Sequence, residues 1–144
     1  MIKQQVVRYH DFCAGHRVVG HESKCAHLHG HNYRIHFHVE STESSLDEVG
    51  RVVDFSVIKS TLCEWLEEHW DHRMLLWEED PYLTALQSVD KKVVAVPFNP
   101  TAENIGNYLL EEICPVLMQG KGLKVTKLVI EETRKCSIIC EETK

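Results

Sequence analysis

Apolar and polar residues alternate with period two along two stretches near the start of the chain, and each alternation predicts a strand. The first runs from about Gln5 to Val18, with Phe12, Ala14 and His16 on one face. The second runs from about His29 to Glu40. There His29, His31, Tyr33, Ile35, Phe37 and Val39 share one face, while Asn32, Arg34, His36, His38 and Glu40 share the other. Such a strand is half-buried in an antiparallel sheet. Gly20 to Ala26, mixed and polar, reads as the loop between the two strands.

After a polar loop from Ser41 to Arg51 the period becomes helical. Val57, Ile58, Leu62, Trp65, Leu66 and His69 form one apolar stripe, with Asp54 or Ser56 as its cap. Thr101 caps a second helix, whose stripe is Ile105, Tyr108, Leu109, Ile113, Val116 and Leu117. Pro115 predicts a kink or an early end to it, and Gly120 and Gly122 mark the stop. Lys92–Phe98, Lys124–Thr133 and Cys136–Glu141 read as further strands. The order β-β-α-β-α-β-β predicts an α+β fold, with two helices on one face of an antiparallel sheet. A length of 144 residues suits a single domain spanning 1–144.

Charge and cysteine content remove some classes of function. A net charge of -6 opposes bulk binding of nucleic acid or of an anionic membrane. No stretch approaches the roughly 18 apolar residues of a membrane span, and the first residues lack a signal peptide's apolar core. The six cysteines form no Cys-x-x-Cys pair. The expectation is a cytoplasmic protein with free thiols.

Histidine is the compositional outlier: eight of ten lie between His10 and His38. His29-Gly30-His31 sets two imidazoles on one strand face, about 7 Å apart at Cα. If the first two strands pair as a hairpin, His16 can join them. Three neutral imidazoles leave one zinc position free for water or substrate, which is the catalytic arrangement. A His-x-His pair alone is weak evidence, because a histidine-rich strand produces one by chance. His36 and His38 form a second pair on the opposite face and read as solvated or packed side chains. His10, His21, His27 and His69 read the same way.

The motifs together resemble a known family. Phe12-Cys13-Ala14-Gly15-His16-Arg17 and Cys25-x-x-x-His29-Gly30-His31-Asn32-Tyr33 resemble the two metal motifs of the 6-pyruvoyl tetrahydropterin synthase family. Gly50-x-Val52-x-Asp54-Phe55, Asp71-His72-Arg73-x-Leu75, Pro100-Thr101-x-Glu103-Asn104 and Glu132-Thr133 resemble its later blocks, in the same order. Pro115 and the acidic loop from Trp77 to Pro81 match no feature of the family.

The resemblance implies the T-fold, assembled as a trimeric barrel and stacked into a hexamer, with active sites between subunits. It implies one Zn2+ per chain on His16, His29 and His31, and Cys25 as the proton acceptor beside it. Asp71 and His72 become an acid-base relay. Glu132 grips the pterin amidine edge; Glu131 points the other way. The close Cys25-to-His29 spacing resembles the 6-carboxy-5,6,7,8-tetrahydropterin synthase branch of queuosine biosynthesis. The implied substrate is 7,8-dihydroneopterin triphosphate, with acetaldehyde and triphosphate released. Lys24, Arg17 and Arg73 are candidate triphosphate cations, whereas Asp54-Phe55 and Thr101 to Asn104 have structural roles as helix caps. Two alternatives remain: a 6-pyruvoyl synthase on the same substrate, and a non-catalytic pterin- or metal-binding protein of the same fold.

Overall fold

A computed structural model describes residues 2–143; the two end positions of the expected 1–144 unit lie outside the described residues. The predicted hairpin is present. Strand β1 (Val6–His16) pairs antiparallel with β2 (His29–Ser41), and the register sets His16 opposite His29 and Ala14 opposite His31. Strand β5 (Leu123–Glu132) pairs with β2, and β6 (Cys136–Glu141) pairs with β5, both antiparallel.

Two further strands make the sheet mixed rather than wholly antiparallel. Strand β3 (Arg73–Trp77) lies parallel to β1, and β4 (Val94–Val96) lies parallel to β3, giving the order β4-β3-β1-β2-β5-β6. β3 escaped the sequence reading because its centre, Leu75 and Leu76, is buried on both faces, so no alternation marks it.

Helix α1 covers residues 55–69 and α3 covers 102–118; the short α2 (Leu83–Val89) was not anticipated. α2 buries no residue, so it carries no apolar stripe to read. Asp54 accepts from the Ser56 N–H, and Thr101 from the Asn104 N–H, as caps. Pro115 does not end α3. The turn before it is π-helical, with the Cys114 N–H donating to the Leu109 carbonyl, and helix resumes through Met118. A wide turn relieves the ring's clash with the preceding carbonyls.

α1 and α3 pack on one face of the sheet over Tyr33, Ile35, Phe37, Leu128 and Ile130, each buried. Gly106 lets α3 approach β6 closely, since a Cβ there would collide with Cys140 Sγ and Ile138. That contact brings Glu103, one turn earlier, to the rim of the site. Among the described residues no helix is long and apolar enough to cross a membrane.

Candidate metal centre and adjoining cavity

Strand pairing alone gathers the three predicted histidines. His16, His29 and His31 stand on the helix-side face at the end of the β1–β2 hairpin, with ligand atoms within 4.8 Å of one another. Their ring centroids are 4.5, 4.8 and 5.0 Å apart.

Hydrogen bonds fix two of the tautomers. His16 Nδ1 lies 2.7 Å from the Pro100 carbonyl, and His29 Nδ1 lies 2.7 Å from the His27 carbonyl. A carbonyl only accepts, so each Nδ1 is the protonated atom and each Nε2 keeps a free lone pair. Both Nε2 atoms, and both ring nitrogens of His31, are buried without a hydrogen-bond partner. Such atoms are costly to bury unpaired. One nitrogen from each of the three rings, all within 4.8 Å of one another, fits a metal ion.

Burial favours the neutral form of His16 and His31. Desolvation is the largest cause lowering the His16 pKa to about 4; like charge on His29 and His31 adds to it, and the Pro100 bond opposes it. His31 is also lowered, again chiefly by desolvation and against the pull of Glu132. Neutral imidazole is the form that ligates.

A cavity of about 350 Å³ opens beside the cluster, lined by His16, Cys25, Glu103, Glu132 and Cys136 among others. Cys25 sits on a short 3-10 turn, Lys24–Ala26, in the loop that joins β1 to β2. Glu132, at the end of β5, shares the inward face with Leu128 and Ile130, and its Oε1 is 3.3 Å from His31 Nε2. Glu131 faces the other side and contacts His36 Nε2 at 2.5 Å. Sequence reasoning left two residues out of the site. The residue pattern places Glu103 in a helix cap and His21 among solvated or packed histidines, yet both line this cavity.

Asp71 and His72 form the expected pair, with His72 Nδ1 2.8 Å from Asp71 Oδ2. Neighbouring side chains meet because His72 adopts a left-handed backbone, φ 59°. The pair is latched to β1: the Cys13 N–H donates to Asp71 Oδ1 at 3.0 Å, and the His72 N–H donates to the Cys13 carbonyl at 2.6 Å. His72 is exposed and lines a different cavity, of about 480 Å³, with Cys13, Asn32 and Met74. Within one chain, then, His72 and Cys25 do not share a cavity.

Arg17 is not available to bind triphosphate. Its guanidinium is buried and paired with Asp80. Arg73 turns toward the Glu68 carbonyl at 2.9 Å and lines the His72 cavity.

A sequence model of the 6-pyruvoyl tetrahydropterin synthase family matches residues 5–143. The 6-carboxy-5,6,7,8-tetrahydropterin synthase of Rickettsia felis is 36% identical over 132 residues, covering 89% of this chain and 93% of that protein. The enzyme of the same name from Rickettsia bellii is 38% identical over 130 residues, covering 89% and 93%. Among solved structures, an uncharacterized protein from Wolinella succinogenes superposes with a TM-score of 0.85 at 25% identity, covering 99% of this chain and 100% of that one. A Plasmodium vivax 6-pyruvoyltetrahydropterin synthase variant gives 0.71 at 15% identity, covering 99% of each, which speaks to the fold alone.

Proposed function

The chain belongs to the 6-pyruvoyl tetrahydropterin synthase family, and from that premise we propose that it is a zinc-dependent 6-carboxy-5,6,7,8-tetrahydropterin synthase of queuosine biosynthesis. It is a lyase that takes 7,8-dihydroneopterin triphosphate and water to 6-carboxytetrahydropterin, acetaldehyde and triphosphate. The observation that carries the reading is the group of imidazole nitrogens without hydrogen bonds beside a cavity that His16 lines together with Cys25 and Glu132. The relatives at 36% and 38% identity bear the carboxy name, and the spacing of Cys25 to His29 agrees. Its six free cysteines suit a reducing cytoplasm.

His16, His29 and His31 would hold the zinc, which when bound polarises substrate oxygens as a Lewis acid. Cys25 accepts the carbon-bound proton. Glu132 holds the N–H-rich edge of the pterin, where one carboxylate accepts two parallel bonds. Glu103, across the same cavity, offers a second acceptor to that ring. His72 exchanges protons with substrate oxygens, and Asp71 keeps its Nδ1 protonated so that Nε2 faces the reaction.

The hexamer, as a dimer of trimers, accounts for the distance between Cys25 and the relay. Besides the outer edge of the three-residue β4, two longer sheet edges have no strand partner among the described residues: the outer edge of β6, and β1 over residues 6–13. Pairing β6 of one copy with β1 of the next is a head-to-tail contact, which closes into a ring when the rotation allows. Such a contact carries the next copy's His72, latched to Cys13, toward Cys136, Ser137 and Ile138, which line the Cys25 cavity.

The test is incubation of metal-replete protein with dihydroneopterin triphosphate, with products identified by mass spectrometry. Acetaldehyde and 6-carboxytetrahydropterin are expected. A pyruvoyl product would move the chain to the other branch, and binding without turnover would make it a pterin-binding protein.

A further inference from the structure

The 3-10 turn that carries Cys25 is poorly supported by its own residues. None of Lys24, Cys25 and Ala26 is buried, and Ser23 makes no side-chain cap. Besides two backbone bonds of its own, from the Ala26 N–H to the Ser23 carbonyl and from the His27 N–H to the Lys24 carbonyl, the turn is held from outside. The Val18 N–H donates to the Cys25 carbonyl at 2.7 Å, and Arg17 Nη1 donates to the Ala26 carbonyl at 3.0 Å. The same guanidinium donates through Nε to Asp80 Oδ2 at 2.8 Å and lies over the Tyr82 ring, 3.8 Å from its centroid. Asp80 is itself fixed, since its Oδ1 accepts the Tyr82 N–H and its own N–H donates to the Trp77 carbonyl, each at 2.8 Å.

Both charges of this pair are buried. A buried ion pair gains little over well-packed apolar side chains, so stability is a weak reason for it to be here. Geometry is a better one. A guanidinium is a rigid fork that reaches two acceptors at fixed angles. Here it ties the Cys25 turn to the segment just after β3, the same acidic segment that matched no family feature.

We propose that Arg17 and Asp80 are positioning residues, which act together to set where Cys25 stands relative to the three histidines. The inference rests on the reading of Cys25 as the proton acceptor. Arg17→Lys keeps the charge but loses the fork; Asp80→Asn keeps an oxygen but loses the charge; Asp80→Glu restores it. The double variant Arg17→Met, Asp80→Leu replaces the pair with apolar stems and keeps the fold testable where a single variant unfolds.

Each variant is assayed for kcat, KM, zinc per chain, thermal unfolding, and alkylation by iodoacetamide mapped to individual cysteines. Arg17→Lys, Asp80→Asn and the double variant should lose roughly tenfold or more in kcat, because a misplacement near 1 Å is enough to do so. KM and zinc content should hold, Asp80→Glu should recover much of the rate, and alkylation should change at Cys25 while the buried Cys63 and Cys114 stay as protected as in the parent. The proposal fails if kcat and Cys25 alkylation stay within about twofold of the parent. It also fails if the loss tracks zinc loss or unfolding. Should Cys25→Ala retain turnover, the proton-acceptor reading falls by itself, and Cys25 alkylation in the other variants still reports on the tether.

Discussion

Strand β2 carries two His-x-His pairs, His29/His31 and His36/His38, on opposite faces of the sheet. Their spacing is identical, and only their surroundings differ. His36 Nε2 contacts Glu131, and His38 Nδ1 lies 3.1 Å from Gln5 Oε1, so each has a partner. The Nε2 atoms of His29 and His31 are buried with no hydrogen bond, although Glu132 Oε1 stands 3.3 Å from that of His31. The pair that looks incomplete is the one built to be completed by a ligand. A motif becomes a site through what is left unpaired around it.

The sharpest way to break this comparison is to remove one imidazole from each pair. His29→Ala or His31→Ala should empty the metal centre and lower turnover by about 10³-fold or more, while His38→Ala should leave metal content unchanged. Atomic absorption on the purified variants decides it; equal metal loss from both pairs would erase the distinction. Next in size, Cys25→Ala should lower kcat by about 10²- to 10⁴-fold with zinc retained. Loss of zinc there would make Cys25 a ligand.

The two neighbouring glutamates repeat the comparison on β5. Glu132→Gln should raise KM by about 10²-fold, since the pterin edge loses a charged acceptor, whereas Glu131→Gln, on the other face, should leave KM alone. Steady-state kinetics on both variants would show whether inward direction matters.

A smaller effect concerns pH. Unfolded His16 takes up a proton near 6.5, but the buried ring resists until about 4. The unfolded state therefore binds more protons in that window, so stability is full above 6.5 and falls as the pH drops to about 4. The loss is at most about 3 kcal/mol from this group. Chemical denaturation of metal-free protein at several pH values measures it, and His16→Asn should flatten the profile. Smallest of all, His36→Gln should change stability by about 1 kcal/mol or less, since its contact is half-exposed; thermal unfolding reads this directly.

Much of this was legible in the residues. Period-two alternation identified β1 and β2 and assigned His16 and the four histidines of β2 to a face. Helical stripes and caps located α1 and α3. Other features were hidden for physical reasons. β3 is a short run buried on both faces, and α2 buries nothing, so neither leaves a periodic trace. Glu103 sits in the first turn of a capped helix, where an acidic residue already has a local explanation. Arg17 looked like a free cation because its partner, Asp80, is 63 residues away.

What the chain determined locally was direction: strand stereochemistry puts His29 and His31 on one face and Glu132 on the same side as Leu128 and Ile130. Tertiary structure decided which of those groups found partners and which did not. It also separated His72 from Cys25 and took Arg17 out of solvent. The reason is that a side chain's facing follows from its own backbone, whereas its pairing depends on segments that only folding brings together.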